Sequence, residues 1–353
     1  MPGFECRLGF NAFLCLIGVL VGAAGCTPDS DPGQLYLQRL AGTLDQSYEI
    51  RESSLPAFPL GETLRIERAT TRLAIVDVLE VHRCDLGALV AGRNGGLGRV
   101  QTASQRYLYD RALVRGLGAC DAPGDALQAI LQQRRAELPI SLFNALFSGD
   151  EWHDFVTPGV VPPATSVDSG QLTRVLSRLL TMARQPVVQP LVAAEFEGLL
   201  AQLRFSRALG EQRRRWREQA QVLVTATQML TQAKTTSPGC RTGTPTEAGR
   251  HRMNVFQTFY VEGVQEGLAR EAQPDRGWLK LLQELLDTLI QPVIHEPAAQ
   301  QVAAWHERVL GSSTDQEYGR WQMALAEHTR AWQWQLRACG LLPGNRTGNR
   351  TRS

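Results

Sequence analysis

Two groups of residues in this chain have the types and spacing that chemistry requires. The first is the glycine-rich run Gly92-Arg93-Asn94-Gly95-Gly96-Leu97-Gly98-Arg99, with Arg106 shortly after it. Backbone amides of a glycine turn beside a helix start, together with the guanidinium groups of Arg93, Arg99 and Arg106, are the donors that a phosphate or carboxylate needs. The turn lacks the Lys-Ser/Thr of a P-loop and follows no strand. The competing reading gives the glycines to the turn alone and leaves the arginines solvated or locally paired. The second group is Asp150, Glu151, His153 and Asp154, which sets carboxylates beside an imidazole as metal binding or general-base catalysis would. An exposed acidic loop around Trp152 accounts for the same residues. No H-E-x-x-H, G-x-S-x-G, Walker A or Rossmann fingerprint is present. Asp150, His153 and Asp154 are therefore the catalytic candidates, no metal site or cofactor is expected, and the chain reads as non-catalytic.

Other charged residues point to structure. Arg204, Arg207, Arg213, Arg214, Arg215 and Arg217 face only Glu211 and Glu218, the sharpest local charge excess in the chain. Because residues 213 to 215 are consecutive they fan around a helix, and we expect a solvated face in place of a stripe against lipid phosphates. His82 and His328 fall on apolar helical faces and read as core histidines. The whole chain carries 37 basic and 35 acidic residues, a formal charge of +2, with 43% apolar and 20% charged residues. That balance gives no drive toward nucleic acid and leaves ample material for a core.

The elements that would position these groups are helical. Apolar residues recur at three and four over Gln34 to Gln46, Thr71 to Ala91, Ser104 to Leu117, Ala122 to Leu138, Leu142 to Phe147, Gln171 to Arg184, Leu191 to Lys234, Val255 to Arg270, Trp278 to Ile290 and Ala298 to Leu310. Asp85 and Asp121 are candidate N-caps, Pro139 is expected to close its helix, and the long run is expected to kink near Gly210. The clearest stripe is the last: Tyr318, Trp321, Leu325, His328, Trp332, Leu336 and Cys339, with Trp334 off it and so available to an interface. Pro56 and Pro59 make Ile50 to Arg68 extended. The fold class is therefore all-α, a bundle of about ten helices in which two lobes are possible.

At the front, Leu8 to Gly22 is apolar and ends in Ala23-Ala24-Gly25-Cys26, which resembles the lipobox of bacterial lipoproteins. The run is interrupted by Asn11 and is short for a membrane span. The resemblance implies cleavage before Cys26, acylation of that residue and, since Thr27 and not Asp follows it, sorting to the periplasmic face of the outer membrane. The expected organisation is a signal peptide at 1–25, acylated Cys26 and tether at 26–33, a helical lobe at 34–156, a Pro/Gly linker at 157–170, a second lobe at 171–340 and a basic tail at 341–353.

Of seven cysteines, Cys6 and Cys15 leave with the leader and Cys26 carries lipid. Cys84, Cys120, Cys240 and Cys339 remain, an even number in an oxidising compartment. Three pairings are possible. We expect Cys84 with Cys120, bracketing a helical hairpin, and Cys240 with Cys339, tying the last helix to a loop. In the loop-entropy model these closures contribute about 4 and about 5 kcal/mol.

The segments Arg83 to Cys120, Asn254 to Ala269 and Trp332 to Cys339, with the signature R-C…R-N…L-G-R-V…C, resemble an uncharacterised family of proteobacterial lipoproteins, domain of unknown function family 3080. The resemblance covers nearly the whole mature chain, matches its four cysteines and implies no activity. The expected role is a non-catalytic scaffold or accessory protein of the cell envelope, held to the bilayer through Cys26 and meeting an envelope protein partner. The alternative is a periplasmic enzyme or small-ligand or anion binder with its site between the lobes. Thiol counting under denaturing conditions should find no free thiol at Cys84, Cys120, Cys240 or Cys339; two or more reactive groups there would end the staple model.

Overall fold

A computed structural model describes residues 31–68, 80–159, 168–185, 191–236, 239–241 and 243–341. Cys26, the helical run at 71–79, the middle of the Pro/Gly stretch at 160–167 and the basic tail beyond 341 lie outside the described residues. Thirteen α-helices, two short 3-10 segments, one π-helical segment and a hairpin of two two-residue strands make up the regular structure among the described residues, so the fold is all-α as expected. None of these helices is long and apolar enough to cross a membrane.

Helix α1 (Pro32–Leu44) starts with Pro32 in the first turn and the Asp31 carboxylate accepting from the Gly33 amide at 3.1 Å. An extended stretch follows to a single 3-10 turn, Gly61–Leu64. Helices α2 (Gly87–Asn94), α3 (Gly96–Arg99), α4 (Ala103–Gly118), α5 (Asp125–Phe147) and α6 (Asp150–Val156) complete the front of the chain. The back consists of α7 (Ser169–Arg184), α8 (Ala193–Ser206), α9 (Ala208–Thr236), the hairpin β1 (Cys240–Arg241) and β2 (Thr244–Pro245), α10 (Glu247–Val255), a π-helical segment Phe256–Gln265, α11 (Glu266–Ile290), α12 (Pro297–Leu310) and α13 (Glu317–Ala338). The main packing pairs are α4 on α5, α9 on α13, α7 on α11 and α6 on α8.

Four elements depart from expectation, each for a local reason. Asp85 caps nothing: it takes a left-handed conformation, φ 55°, between Cys84 and the start of α2. Helix α5 runs through Pro139, because Leu138, Ser141, Leu142 and Phe143 beyond and before it are all buried, and packing offsets the one backbone bond a proline removes. Asp121 caps nothing either, since that helix begins at Asp125 after Gly124. The run expected to kink at Gly210 breaks fully at Arg207, φ 47°, making two helices. Gly210 itself is needed for contact, as a Cβ there would lie 2.3 Å from the Thr157 carbonyl. These breaks and the short α2, α3 and α6 raise the count above ten.

The disulfides pair as expected. Cys84–Cys120 joins the start of α2 to the end of α4, with Cα atoms 5.2 Å apart, and Cys240–Cys339 joins β1 to the end of α13, with Cα atoms 5.3 Å apart.

Two apolar clusters fill the interior. The larger draws on both sides of residues 157–170, with Phe58, Phe143, Phe147, Trp152 and Phe155 from one side and Leu176, Phe196, Leu285 and Trp305 from the other. Within it Arg213 is 1% exposed, contrary to the solvated face expected for its run. Its Nε and Nη2 donate to the Glu317 carboxylate at 2.8 and 2.7 Å, and its remaining donors reach the carbonyls of Val156 at 2.8 Å and Pro56 at 2.5 Å. The guanidinium also lies 5.4 Å from the Trp305 ring centre. The neighbouring arginines are paired too: Arg204 with Asp154 at 2.8 Å, and Arg214 with the buried Glu211.

The second cluster joins α1, α9, the π-helical segment and α13. At its centre the fully buried His328 ring nitrogens meet the Tyr36 hydroxyl and the Thr227 hydroxyl, both at 3.0 Å, and Trp332 Nε1 donates to the Tyr36 hydroxyl at 2.9 Å. Of the last-helix stripe, His328, Trp332, Leu336 and Cys339 are buried, as the spacing predicts, while Tyr318, Trp321 and Leu325 are half-buried against the cores. Trp334, off the stripe, is 42% exposed beneath the Lys234 ammonium, 4.7 Å from its ring centre. His82, by contrast, is exposed.

Burial pushes the His328 imidazole down to about 3 from an ordinary 6.5. Below 6.5 the unfolded chain therefore binds a proton that the folded chain refuses. The contribution of this residue is complete above about pH 6.5 and is lost as pH falls toward 3, at about 1 kcal/mol per pH unit. Burial depresses His306 as well, which adds a slope of the same sign. Chemical denaturation between pH 7 and pH 5 should therefore give a shallower stability loss in His328→Gln than in the parent; equal slopes would refute a neutral buried imidazole.

Candidate functional site

The largest cavity among the cavities described is a polar cleft of about 1180 Å³ between the 61–68 segment, α2, α4 and α5. All its lining residues fall between 61 and 148, so it sits within the front part of the chain and not between 34–156 and 171–340.

Its walls are fixed by hydrogen bonds that follow from local sequence. In Leu64-Arg65-Ile66-Glu67-Arg68 the apolar residues are buried and Arg65 and Glu67 exposed, the alternation of an extended strand. This strand has no sheet to join. Instead the Asn144 side chain of α5 satisfies both backbone groups of Ile66, accepting from its N–H and donating to its C=O, each at 2.8 Å. On the opposite wall α4 opens with a capping box: the Thr102 hydroxyl accepts from the Gln105 amide at 3.3 Å and the Gln105 side chain from the Thr102 amide at 3.2 Å. That cap directs Arg106, Tyr109 and Asp110 from successive turns into the cleft. Arg93 is held by donating to the Gly98 carbonyl across the α2–α3 turn. Only glycine fits at 98, since a Cβ would lie 2.1 Å from the Arg93 carbonyl oxygen.

Five arginines, Arg65, Arg68, Arg93, Arg106 and Arg134, line the cleft against three carboxylates, Glu62, Glu67 and Asp110. The buried Asp110 is committed: it accepts from Arg68 at 2.5 Å and from the Ser141 hydroxyl at 2.6 Å. Arg134 pairs with Glu137 at 2.8 Å. Desolvation, and then the like charges of Arg65, Arg93 and Arg68, lower the Arg106 pKa, with Asp110 opposing. Burial, and then Asp110, raise the Tyr109 phenol. A guanidinium disfavoured by three others is a site where an incoming anion relieves repulsion, and perturbed groups of this kind gather at functional sites. Asn94, Gln101, Thr102 and Ser148 add neutral donors and acceptors to the same walls.

The sequence candidates divide accordingly. Arg93 and Arg106 are brought together. The backbone of Arg99 ends α3, while its side chain lies outside the described ones. Asp150 is exposed in the first turn of α6, Asp154 is held by Arg204 at 2.8 Å, and the half-exposed His153 lies 3.9 Å from Asp154. That short helix serves to bury Trp152, Phe155 and Val156. No group of His, Cys, Asp and Glu able to hold a metal ion occurs among the described residues. Sequence reasoning missed Arg65, Arg68 and Arg134; the alternation over 64–68 was the signal that set Arg65 outward.

Asn144→Ala strands the Ile66 amide and carbonyl in a buried place, and each unsatisfied group costs about 1–3 kcal/mol. Urea unfolding should show a loss of roughly 2–4 kcal/mol on this account, with a loosened 61–68 wall by hydrogen exchange at Ile66; protection unchanged at Ile66 would refute the clamp.

The chain matches no functionally curated protein and no solved structure. A family model described as protein of unknown function (DUF3080) matches residues 33–343. Since that match spans most of the chain and nearly all the described helices, the chain belongs to this family of proteins of unknown function.

Proposed function

We propose that the chain is a non-catalytic accessory protein of the bacterial envelope whose working part is an anion-binding cleft. The observation that carries this reading is the convergence of Arg65, Arg68, Arg93 and Arg106 on one open polar cavity. A cavity of about 1180 Å³ exceeds what an inorganic ion fills and suits an organic anion with several polar groups. Planar guanidinium groups supply paired donors to carboxylate or phosphate oxygens. The side chains present can bind and orient; the Ser141 hydroxyl lies 2.6 Å from the Asp110 carboxylate, but both are buried and Asp110 is also held by Arg68 at 2.5 Å, the arrangement of a structural ion pair.

The lipobox-like run ending at Cys26 supports an acylated, periplasm-facing anchor in the outer membrane, and the two disulfides accord with an oxidising compartment. Mass spectrometry of the native product should find residues 1–25 removed and Cys26 acylated. An intact leader or a bare Cys26 would refute the anchor while leaving the cleft untouched.

Calorimetry with citrate, a hexose phosphate and glycerol 3-phosphate should reveal saturable binding of at least one, weakened by salt and by Arg106→Gln. At a ligand concentration of about 100 times its dissociation constant the gain is about 2.7 kcal/mol, which raises the melting temperature by several degrees. Absence of saturable binding by all three, or binding indifferent to Arg106→Gln, would refute the reading.

A further inference from the structure

Large apolar side chains exposed to water are few among the described residues, and three of them border the arginine cleft. Leu97, within the short helix α3, is 86% exposed and Val100, which ends it, 76% exposed; they lie between Asn94 and Gln101, both of which line the cavity. Leu60, 69% exposed, immediately precedes the lining residue Gly61 on the opposite wall. Exposed apolar side chains therefore flank, in the sequence, lining residues of both walls of the cationic cleft. The α2–α3 turn that leads to Leu97 is itself fixed in place, because Arg93 donates to the Gly98 carbonyl and Gly98 is pressed against the Arg93 backbone.

A freely diffusing polar anion has no use for those apolar side chains. An amphiphile does: its charged head meets guanidinium groups while its apolar part meets Leu and Val. We propose that the cleft takes the phosphate headgroup of an anionic phospholipid still resident in a bilayer, with Leu60, Leu97 and Val100 entering the boundary between headgroups and acyl chains. Charge complementarity selects the occupant. Beyond the Arg68–Asp110 and Arg134–Glu137 pairs, the lining arginines Arg65, Arg93 and Arg106 outnumber the exposed Glu62 and Glu67, which favours an anionic surface, to which each basic group near the membrane adds affinity. Exposed apolar side chains supply the second component that stable surface binding needs. The inference rests on the anion-binding reading above and deepens it by naming the class of ligand and how it is presented.

The test uses the mature chain, residues 26–353 with Cys26→Ser, so that neither an acyl group nor the apolar leader contributes and every sample shares one N-terminus. Vesicle flotation compares phosphatidylcholine with a phosphatidylcholine and phosphatidylglycerol mixture, and calorimetry with glycerol 3-phosphate reports the cleft without a membrane. The parent is expected to bind the anionic vesicles about tenfold or more tightly than the neutral ones. Leu97→Ser with Val100→Ser, both at exposed positions, should lose about tenfold of that affinity and keep glycerol 3-phosphate binding. Arg65→Gln with Arg106→Gln should lose both, with an unchanged melting curve serving as the folding control. Glycerol 3-phosphate binding without preference for anionic vesicles overturns the lipid proposal and leaves the anion site standing, as does full vesicle affinity in the Leu97 and Val100 double variant. Failure of the parent to bind either probe overturns both.

Discussion

The buried pair of Arg213 and Glu317 is the constraint on which the arrangement of the chain depends. Taking both charges out of water costs several kcal/mol per ion, and only complete hydrogen bonding offsets it. Arg213 meets that requirement by drawing in the carbonyls of Pro56 and Val156, the carboxylate of Glu317 and the face of Trp305. Five separate parts of the chain, the extended segment, α6, α9, α12 and α13, are thereby held to one guanidinium. Such a node adds less net stability than a hydrophobic replacement would, but it admits one register. A slip of α9 that brought Gln212 to the same place would leave Glu317 facing a shorter, neutral side chain.

The cleft depends on that node indirectly. Its floor and walls come from α5 and the 61–68 segment, and the latter descends from the extended stretch that Arg213 grips at Pro56. Asn144 then completes the fixation by standing in for a neighbouring strand at Ile66. Polar groups that would be a liability in a bundle are in this way turned into a rigid frame for a set of mutually repelling cations, and repulsion so held remains available to be relieved by a ligand.

Much of the fold was legible in the sequence because helical burial leaves a periodic trace. The stripe from Tyr318 to Cys339 follows from spacing, and of the three possible cysteine pairings the expected one, Cys84 with Cys120 and Cys240 with Cys339, is the one formed. What stayed hidden depends on partners distant in the chain. Arg213 looks like its neighbours until Glu317, over a hundred residues on, is folded against it. Pro139 sits inside a helix because both its flanks are buried, and the π-helical winding over Phe256–Gln265 leaves no mark in the sequence, because a spacing of four, as in Phe256, Tyr260 and Val264, keeps residues on one face at either winding. Of the site, Arg93 and Arg106 stood out beside a glycine run, while Arg65 and Arg134 did not, since an arginine on an extended edge or a long helix carries no local mark of convergence.

The second core has a mechanical consequence. Helix α1 lies outside both covalent loops, the one closed by Cys84–Cys120 and the one closed by Cys240–Cys339, and is retained only by the side chains it inserts beside α9, the π-helical segment and α13. Tension applied at the N-terminal side of Pro32 is therefore borne first by Tyr36, Leu37 and Leu40, and peeling them away withdraws the hydroxyl shared by His328 and Trp332. The segments closed by the two disulfides would stay shut while the leading helix unwound into a slack leash.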